Sequence, residues 1–165
     1  MAAPVTVEPM ARGDWDAIAR IYAEGIATGD ATFETEVPTR EHWDTVHLAG
    51  HRLVARRDEE VVGWAALAPV SARPVYRGVV EGSVYVAESA RGQGIGRALL
   101  EALIRSSEEA GIWTIQTGIF PENEASIRLH EQLGFRIVGR RERLGRLDGV
   151  WRDVLLVERR SGAVG

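Results

Sequence analysis

The sequence predicts a mixed-sheet α/β domain spanning residues 1–165, and three observations carry that expectation. Short β-patterned runs alternate with helical ones. The first half holds a hairpin signal, which makes that part of the sheet antiparallel. The middle runs from a strand through a glycine-rich turn into a long helix and on to another strand, the β-α-β crossover of a parallel pair. The expected order is β-α-α-β-β-β-α-β-α-β-β. Val5 and Val7 alternate within residues 4–9, a first strand. Asp14 stands where a cap opens the next helix, in which Trp15, Ile18, Ala19, Tyr22 and Ile26 recur at helical spacing. Residues 27–38, rich in Thr, Gly and acids, read as a loop ahead of a short helix over 39–48. Residues 51–57 and 61–68 flank an Asp58-Glu59-Glu60 turn and form the hairpin. A loop over 69–78 precedes a strand over 79–87. After Gly94, the side chains of Ile95, Leu99, Leu100, Leu103 and Ile104 share one helix face that ends at Gly111. A strand over 112–117, a helix over 123–133 and strands over 135–143 and 150–157 complete the chain.

Composition excludes several function classes. With 45% hydrophobic and 27% charged residues, neither a disordered nor a membrane-embedded chain is expected, and 165 residues suffice to bury roughly two thirds of the unfolded surface. The 20 basic residues against 24 acidic ones give a net charge of −4, which argues against a nucleic-acid partner, since phosphate contacts need basic excess. There is no Cys, so thiolate nucleophiles, disulfides and cysteine metal sites are absent. Every basic residue is Arg, which removes Schiff-base lysine chemistry and the lysine of nucleotide-binding phosphate loops. The N-terminal residues lack the basic and apolar runs of a secretory signal, and no apolar stretch approaches the ~20 residues of a membrane span. The expectation is a cytoplasmic protein with no membrane partner. His42 and His47 are four apart, but Gly50 interrupts the helix before His51 and no carboxylate completes a set, so no metal site is expected.

The most informative segment is Val84-Tyr-Val-Ala-Glu-Ser-Ala-Arg91-Gly-Gln-Gly94-Ile-Gly96-Arg-Ala-Leu-Leu100. A strand that passes through a glycine-rich turn into a helix exposes main-chain N–H groups beside the positive helix end, a site for phosphate. The G-x-G-x-x-G pattern fails, because it needs Gly at Arg97 or Leu99. Arg91-Gly-Gln-Gly94-Ile-Gly96 resembles instead the pyrophosphate loop of the GNAT acetyltransferase superfamily, Arg/Gln-x-x-Gly-x-Gly/Ala. Downstream, Asn123 followed by a helix ending in Leu133-Gly134-Phe135 resembles the second signature of that family. Val80-Glu-Gly-Ser-Val-Tyr-Val, Ser126-Ile-Arg-Leu-His-Glu-Gln-Leu-Gly-Phe and Gly149-Val-Trp-Arg-Asp-Val are similar to the branch that acetylates phosphinothricin, methionine sulfoximine, methionine sulfone and related amino acids.

The resemblance implies the GNAT fold, acetyl-CoA as co-substrate with no metal, a small-molecule amine as acceptor, and a homodimer. It also implies roles for individual residues. Arg91, Gly92, Gln93, Gly94, Ile95, Gly96 and Arg97 would hold the pyrophosphate. Val84, Tyr85 and Val86 would line the pantetheine arm, with a bulge that leaves an N–H free for the thioester carbonyl. Asn123 and Ser126 would touch the cofactor, although Asn123 is equally a natural helix cap. Period-two alternation places Glu81, Ser83 and Tyr85 on one face of a largely apolar strand, an expensive place for a carboxylate unless it borders a cavity. The branch assigns the matching glutamate as base; a surface Glu paired with Arg is the other reading of Glu81. His130 falls where the branch carries its His, as acid toward the departing thiolate, or else serves as a structural helix His. Phe33, Arg73, Tyr76 and Tyr85 would contact the acceptor, Arg73 forking a carboxylate or phosphinate. Arg73 and Arg77 also read as members of a solvated loop, and the Arg-rich run over 140–146 as a solvated hairpin. The loop departs from the herbicide-resistance members, with Val70-Ser71 where they carry Trp-Lys, and Leu147-Asp148 stands where they carry a basic residue and His. The expected reaction is direct attack of the amine on acetyl-CoA. The alternatives are acetylation of protein N-termini or a polyamine, and a non-catalytic CoA-binding sensor.

Overall fold

The computed structural model describes residues 3–165. The expected element order is observed, on a seven-stranded sheet of order β1-β2-β3-β4-β5-β7-β6. Strand β1 (Thr6–Pro9) pairs antiparallel with β2 (Arg52–Arg57), and β2 with β3 (Glu60–Pro69), through a tight turn that puts Asp58 and Glu59 at φ of 50° and 68°. Strand β4 (Val79–Val86) follows antiparallel and meets β5 (Thr114–Ile119) in parallel. The last hairpin, β6 (Arg136–Leu147) and β7 (Val150–Arg160), is longer than the apolar pattern indicates. Its turn is Asp148-Gly149, and pairing to β5 and β6 carries β7 through polar residues out to Arg160.

Helix α1 (Trp15–Ala27) packs on one face of β3 and β4, α2 (Arg40–Val46) follows the loop, and α3 (Ile95–Glu109) covers the opposite face. The apolar stripe of α3 is buried as its spacing requires, with Leu99 and Leu103 at 0% exposure. Thr39 caps α2 by accepting the His42 N–H at 3.2 Å. Asp14 corrects the expected cap of α1: its carboxylate accepts from the Ala11 N–H and from Arg56 instead. Arg56 also engages Glu8, so these two acids tie β1 and the start of α1 to β2.

The sheet is not continuous across its centre. Strands β4 and β5 pair only over Val79–Glu81 against Thr114–Gln116; beyond that the strands part, while β5 stays paired to β7 as far as Ile119. Helix α4 (Glu124–Gln132) follows β5 directly.

Candidate active site

The parting of β4 from β5 opens a cleft of about 960 Å³, walled by the α1–α2 loop, by α4 and by the β6–β7 hairpin. Glu81, Ser83 and Tyr85 line it, as alternation along β4 predicts. Water reaches Glu81 through the cleft mouth, yet the surrounding walls raise its pKa above the usual carboxylate value, and no charged partner opposes them. Opposite it on α4 stands His130, 7% exposed, with its ring edge-on to Phe135 at 4.9 Å. His130 Nδ1 lies 2.7 Å from the Ser126 carbonyl, which can only accept; Nδ1 therefore carries the hydrogen and Nε2 keeps its lone pair. Burial lowers the His130 pKa, against the opposing pull of that carbonyl. The resting ring is a neutral imidazole.

Asn123 caps α4, its Oδ1 accepting from the Ser126 N–H, and its Nδ2 donates to the Asp30 carbonyl at 3.3 Å. The capping reading of Asn123 is observed. Next in the chain after Arg91, which lines the cleft, the turn itself lies outside the lining; there Gly92 and Gly94 adopt φ of 73° and 81°, which only glycine enters freely, and Gly94 opens α3. Among the described residues no acceptor takes the N–H groups of Gly92, Gln93 or Gly94, and the first-turn amides of α3 at Ile95, Gly96 and Arg97 have none within the helix. The side chains here are otherwise engaged: Gln93 accepts from Arg57 at 2.6 Å and Arg97 pairs with Glu101 at 2.9 Å. The turn therefore offers its backbone to an anion. Gly96 lies where α3, α4 and β4 approach, since a Cβ there would stand 3.4 Å from Leu129 and 3.6 Å from Val86.

The sequence profile described as the acetyltransferase (GNAT) family matches residues 15–135. The chain belongs to this family. It is 35% identical to a phosphinothricin N-acetyltransferase of Streptomyces coelicolor, covering 95% of this chain and 96% of that one. It is 32% identical to an L-methionine sulfoximine/L-methionine sulfone acetyltransferase of Pseudomonas aeruginosa, over 88% of both chains. A crystal structure of a phosphinothricin acetyltransferase of this superfamily from Sinorhizobium meliloti, in complex with acetyl-CoA, superposes with a TM-score of 0.88 at 30% identity, covering 97% of this chain and 90% of that one.

In this acetyltransferase, Val84, Tyr85, Val86, Arg91, Asn123 and Ser126 reach the cleft with Glu81 and His130. The bulge expected in β4 is not present: its register with β3 is continuous over Val80–Val86, and the unpaired main-chain groups of 82–86 arise from the parting of β5. Phe33 lines the mouth, edge-on to Phe120 at 4.9 Å and over Gly145, where a Cβ would meet its ring at 3.0 Å. Arg73 and Tyr76 are not brought to the cleft; the Arg73 guanidinium lies over the exposed Tyr76 ring at 5.6 Å, on a loop outside it.

Several residues in the cleft or bracing its walls escape the sequence reading. Tyr22, marked there only as part of an apolar helix stripe, stacks on Tyr85 at 4.9 Å, and Tyr85 stacks on Trp64 at 4.8 Å. Burial raises both phenol pKa values, and the Glu34 carboxylate adds to this. His47 lines the same wall, its Nδ1–H donating to the Trp43 carbonyl at 2.8 Å, and burial lowers its pKa. Arg152 joins the α1–α2 loop to β7: it donates to the Gly29 carbonyl, pairs with Asp30 at 2.8 Å and Glu122 at 3.3 Å, and lies 4.1 Å from the Phe120 ring centre. Long-range pairing of this kind leaves no local pattern. Among the described residues, no group of three or more His, Asp or Glu is gathered as metal ligands would be.

Proposed function

We propose that this acetyltransferase moves the acetyl group of acetyl-CoA to the amine of a small amino-acid-like molecule, of the kind named for its relatives: phosphinothricin, methionine sulfoximine or methionine sulfone. The observation that carries this reading is Glu81, a carboxylate without a hydrogen-bond or ion-pair partner among the described residues, facing a cleft that opens where the sheet parts.

Acetyl-CoA supplies the activated thioester. The backbone amides from Gly92 to Arg97 fit its pyrophosphate, since they stand at the positive end of a 15-residue helix and have no other acceptor among the described residues. The unpaired main-chain groups of Val84, Tyr85 and Val86 fit its amide-bearing arm, and Asn123 and Ser126 border the same passage. Glu81 takes one proton from the acceptor ammonium, directly or through water, and its raised pKa suits it to that task. The freed amine lone pair then attacks the thioester carbon; the C–N bond forms and the C–S bond breaks. His130 protonates the departing sulfur from Nε2. Its resting state is neutral, so it first takes up at Nε2 the second proton that the nitrogen sheds as the amide forms, and its lowered pKa then makes the imidazolium a ready donor of that proton to the sulfur. With no Cys in the chain, no thiolate competes as an acyl carrier. Phe33 and Tyr85 bound the acceptor by shape. Arg73 and Tyr76, outside the cleft of their own chain, are given no part in holding it.

We take the protein to act in the cytoplasm, where a chain without Cys suits a reducing medium, and as a homodimer, for which the exposed Val150 and Trp151 offer apolar contact. Sedimentation would read the dimer directly. The reaction is tested by free-thiol release from acetyl-CoA in the presence of each named acceptor. Release with at least one of them is expected, and release with none overturns the substrate class.

A further inference from the structure

The acceptor wall of the cleft is a single sheet face. Glu81 is in register with Gln116, Gly118 with Leu156, and Val154 with Arg141, so these residues of β4, β5, β7 and β6 point the same way, towards α1. All of them line the cleft, together with Leu144 of β6 and Phe33 from the α1–α2 loop.

On this wall the charges are largely spoken for. Arg152, on the same side of β7 as Val154, is held by Asp30 and Glu122, whereas Arg140 and its partner Asp153 lie on the opposite face of the hairpin. The remaining cleft arginines are Arg91, before the glycine turn, Arg128, on α4, and Arg141. Of these, Arg141 alone is on the acceptor wall, and it has no hydrogen bond or ion pair among the described residues. An unpaired guanidinium beside the apolar Leu144, Val154 and Phe33 is a ready fork for an oxyanion.

Position decides which anion. Three strand spacings of about 4.8 Å, together with an offset of four residues along the strands at about 3.3 Å each, since Gln116 pairs with Glu158 but Arg141 with Val154, separate the backbone of Glu81 from that of Arg141 by on the order of 20 Å before the parting of β4 from β5 adds to it. An α-carboxylate lies one carbon from the amine that Glu81 deprotonates, too near to reach Arg141. We propose that Arg141 recognises a second anionic group at the far end of the acceptor and sets a preference for acceptors that carry one. The assignment rests on the transfer reading above.

Phosphinothricin and methionine sulfone form a matched pair for the test. Each is an α-amino acid ending in a tetrahedral, methyl-bearing group, anionic in the phosphinate and uncharged in the sulfone. Steady-state kcat/KM is measured for both with the wild-type chain, Arg141→Gln and Arg141→Lys, alongside KM for acetyl-CoA and the melting temperature. Arg141→Gln is expected to lower kcat/KM for phosphinothricin by about tenfold or more, through KM, and to change that for methionine sulfone by less than about twofold. Arg141→Lys should recover part of the loss, with KM for acetyl-CoA and the melting temperature unmoved. Equal losses for both acceptors, or no loss for either, overturn the assignment. Turnover of the sulfone alone by the wild-type chain overturns it too, while leaving the transfer reading in place. Turnover of neither acceptor overturns the assignment, and methionine sulfoximine assayed alongside decides whether the substrate reading falls with it.

Discussion

Replacing Gly25 with Ala tests how firmly the acceptor wall is held. Gly25 is buried in the last turn of α1, and a Cβ there would stand 2.7 Å from both Cδ1 and Cε1 of Tyr85, against the 3.5–4.0 Å at which carbon atoms make good contact. The ring cannot yield by sliding, because Tyr22 stacks on it at 4.9 Å and Trp64 at 4.8 Å. Overpacking of this kind costs about 1–3 kcal/mol. The better helix propensity of Ala returns up to about 1 kcal/mol. The expected net is a destabilisation of about 1 kcal/mol, read as a fall in melting temperature of roughly 2–4 °C for a chain of this size. Calorimetry on four proteins gives the answer: wild type, Gly25→Ala, Tyr85→Ala and the double variant. In the Tyr85→Ala background the clash is gone, so the same substitution should become neutral or stabilising, by up to about 1 kcal/mol. Stabilisation by Gly25→Ala in the wild-type background, or an equal effect in both backgrounds, would refute the packing argument.

Glu81→Gln should lower kcat by about 10²–10⁴, the usual worth of a positioned base, and abolish the rising acid limb of the pH–rate profile. That limb is expected above the ordinary Glu value, since the carboxylate works only when deprotonated and its pKa is raised; calorimetric CoA affinity should not change. Gly94→Ala forces an L-residue to φ near 81°, at a cost of about 1–2 kcal/mol, and should weaken CoA binding and lower the melting temperature together; unchanged affinity would detach the turn from pyrophosphate binding. His47, His51 and His130 have pKa values lowered by burial, so the unfolded chain binds more protons than the folded one below about pH 6.5. Their contribution is intact above that pH and is lost as pH falls towards their folded values. Glu81 acts in the opposite sense, but singly. The urea midpoint should therefore be lower at pH 5.5 than at pH 7, and a flat or inverted dependence counts against the buried neutral imidazoles.

Most of the fold can be read from the sequence, because each element announces itself locally. The α3 stripe, the Asp58-Glu59 turn and the glycine-rich entry to α3 each depend on neighbours a few residues away. The cleft is legible where period-two alternation suffices, as for Glu81, Ser83 and Tyr85, and where a motif fixes a helix start, as for Asn123. It is not legible where function depends on which strands lie side by side. Arg141 belongs to a run of arginines that reads as a solvated hairpin, and only the β5-β7-β6 order turns it towards Phe33. Asp14 shows the converse: its sequence position suits a cap, but Arg56, brought from β2, competes for its carboxylate and wins. The placement of Arg73 and Tyr76 outside the cleft has the same origin, since nothing local says which way a proline-bounded loop will lean.

The row of rings formed by Trp43, Trp64, Tyr85 and Tyr22 runs without a gap from the deepest part of the molecule to the surface an incoming amine would meet. Planar groups locked edge to face and face to face have no small adjustments available to them. An acceptor one methylene too bulky on that side finds a barrier rather than a cushion, so discrimination there works by refusal. A broader diet would have to be gained at the opposite rim, among the looser side chains of the terminal hairpin.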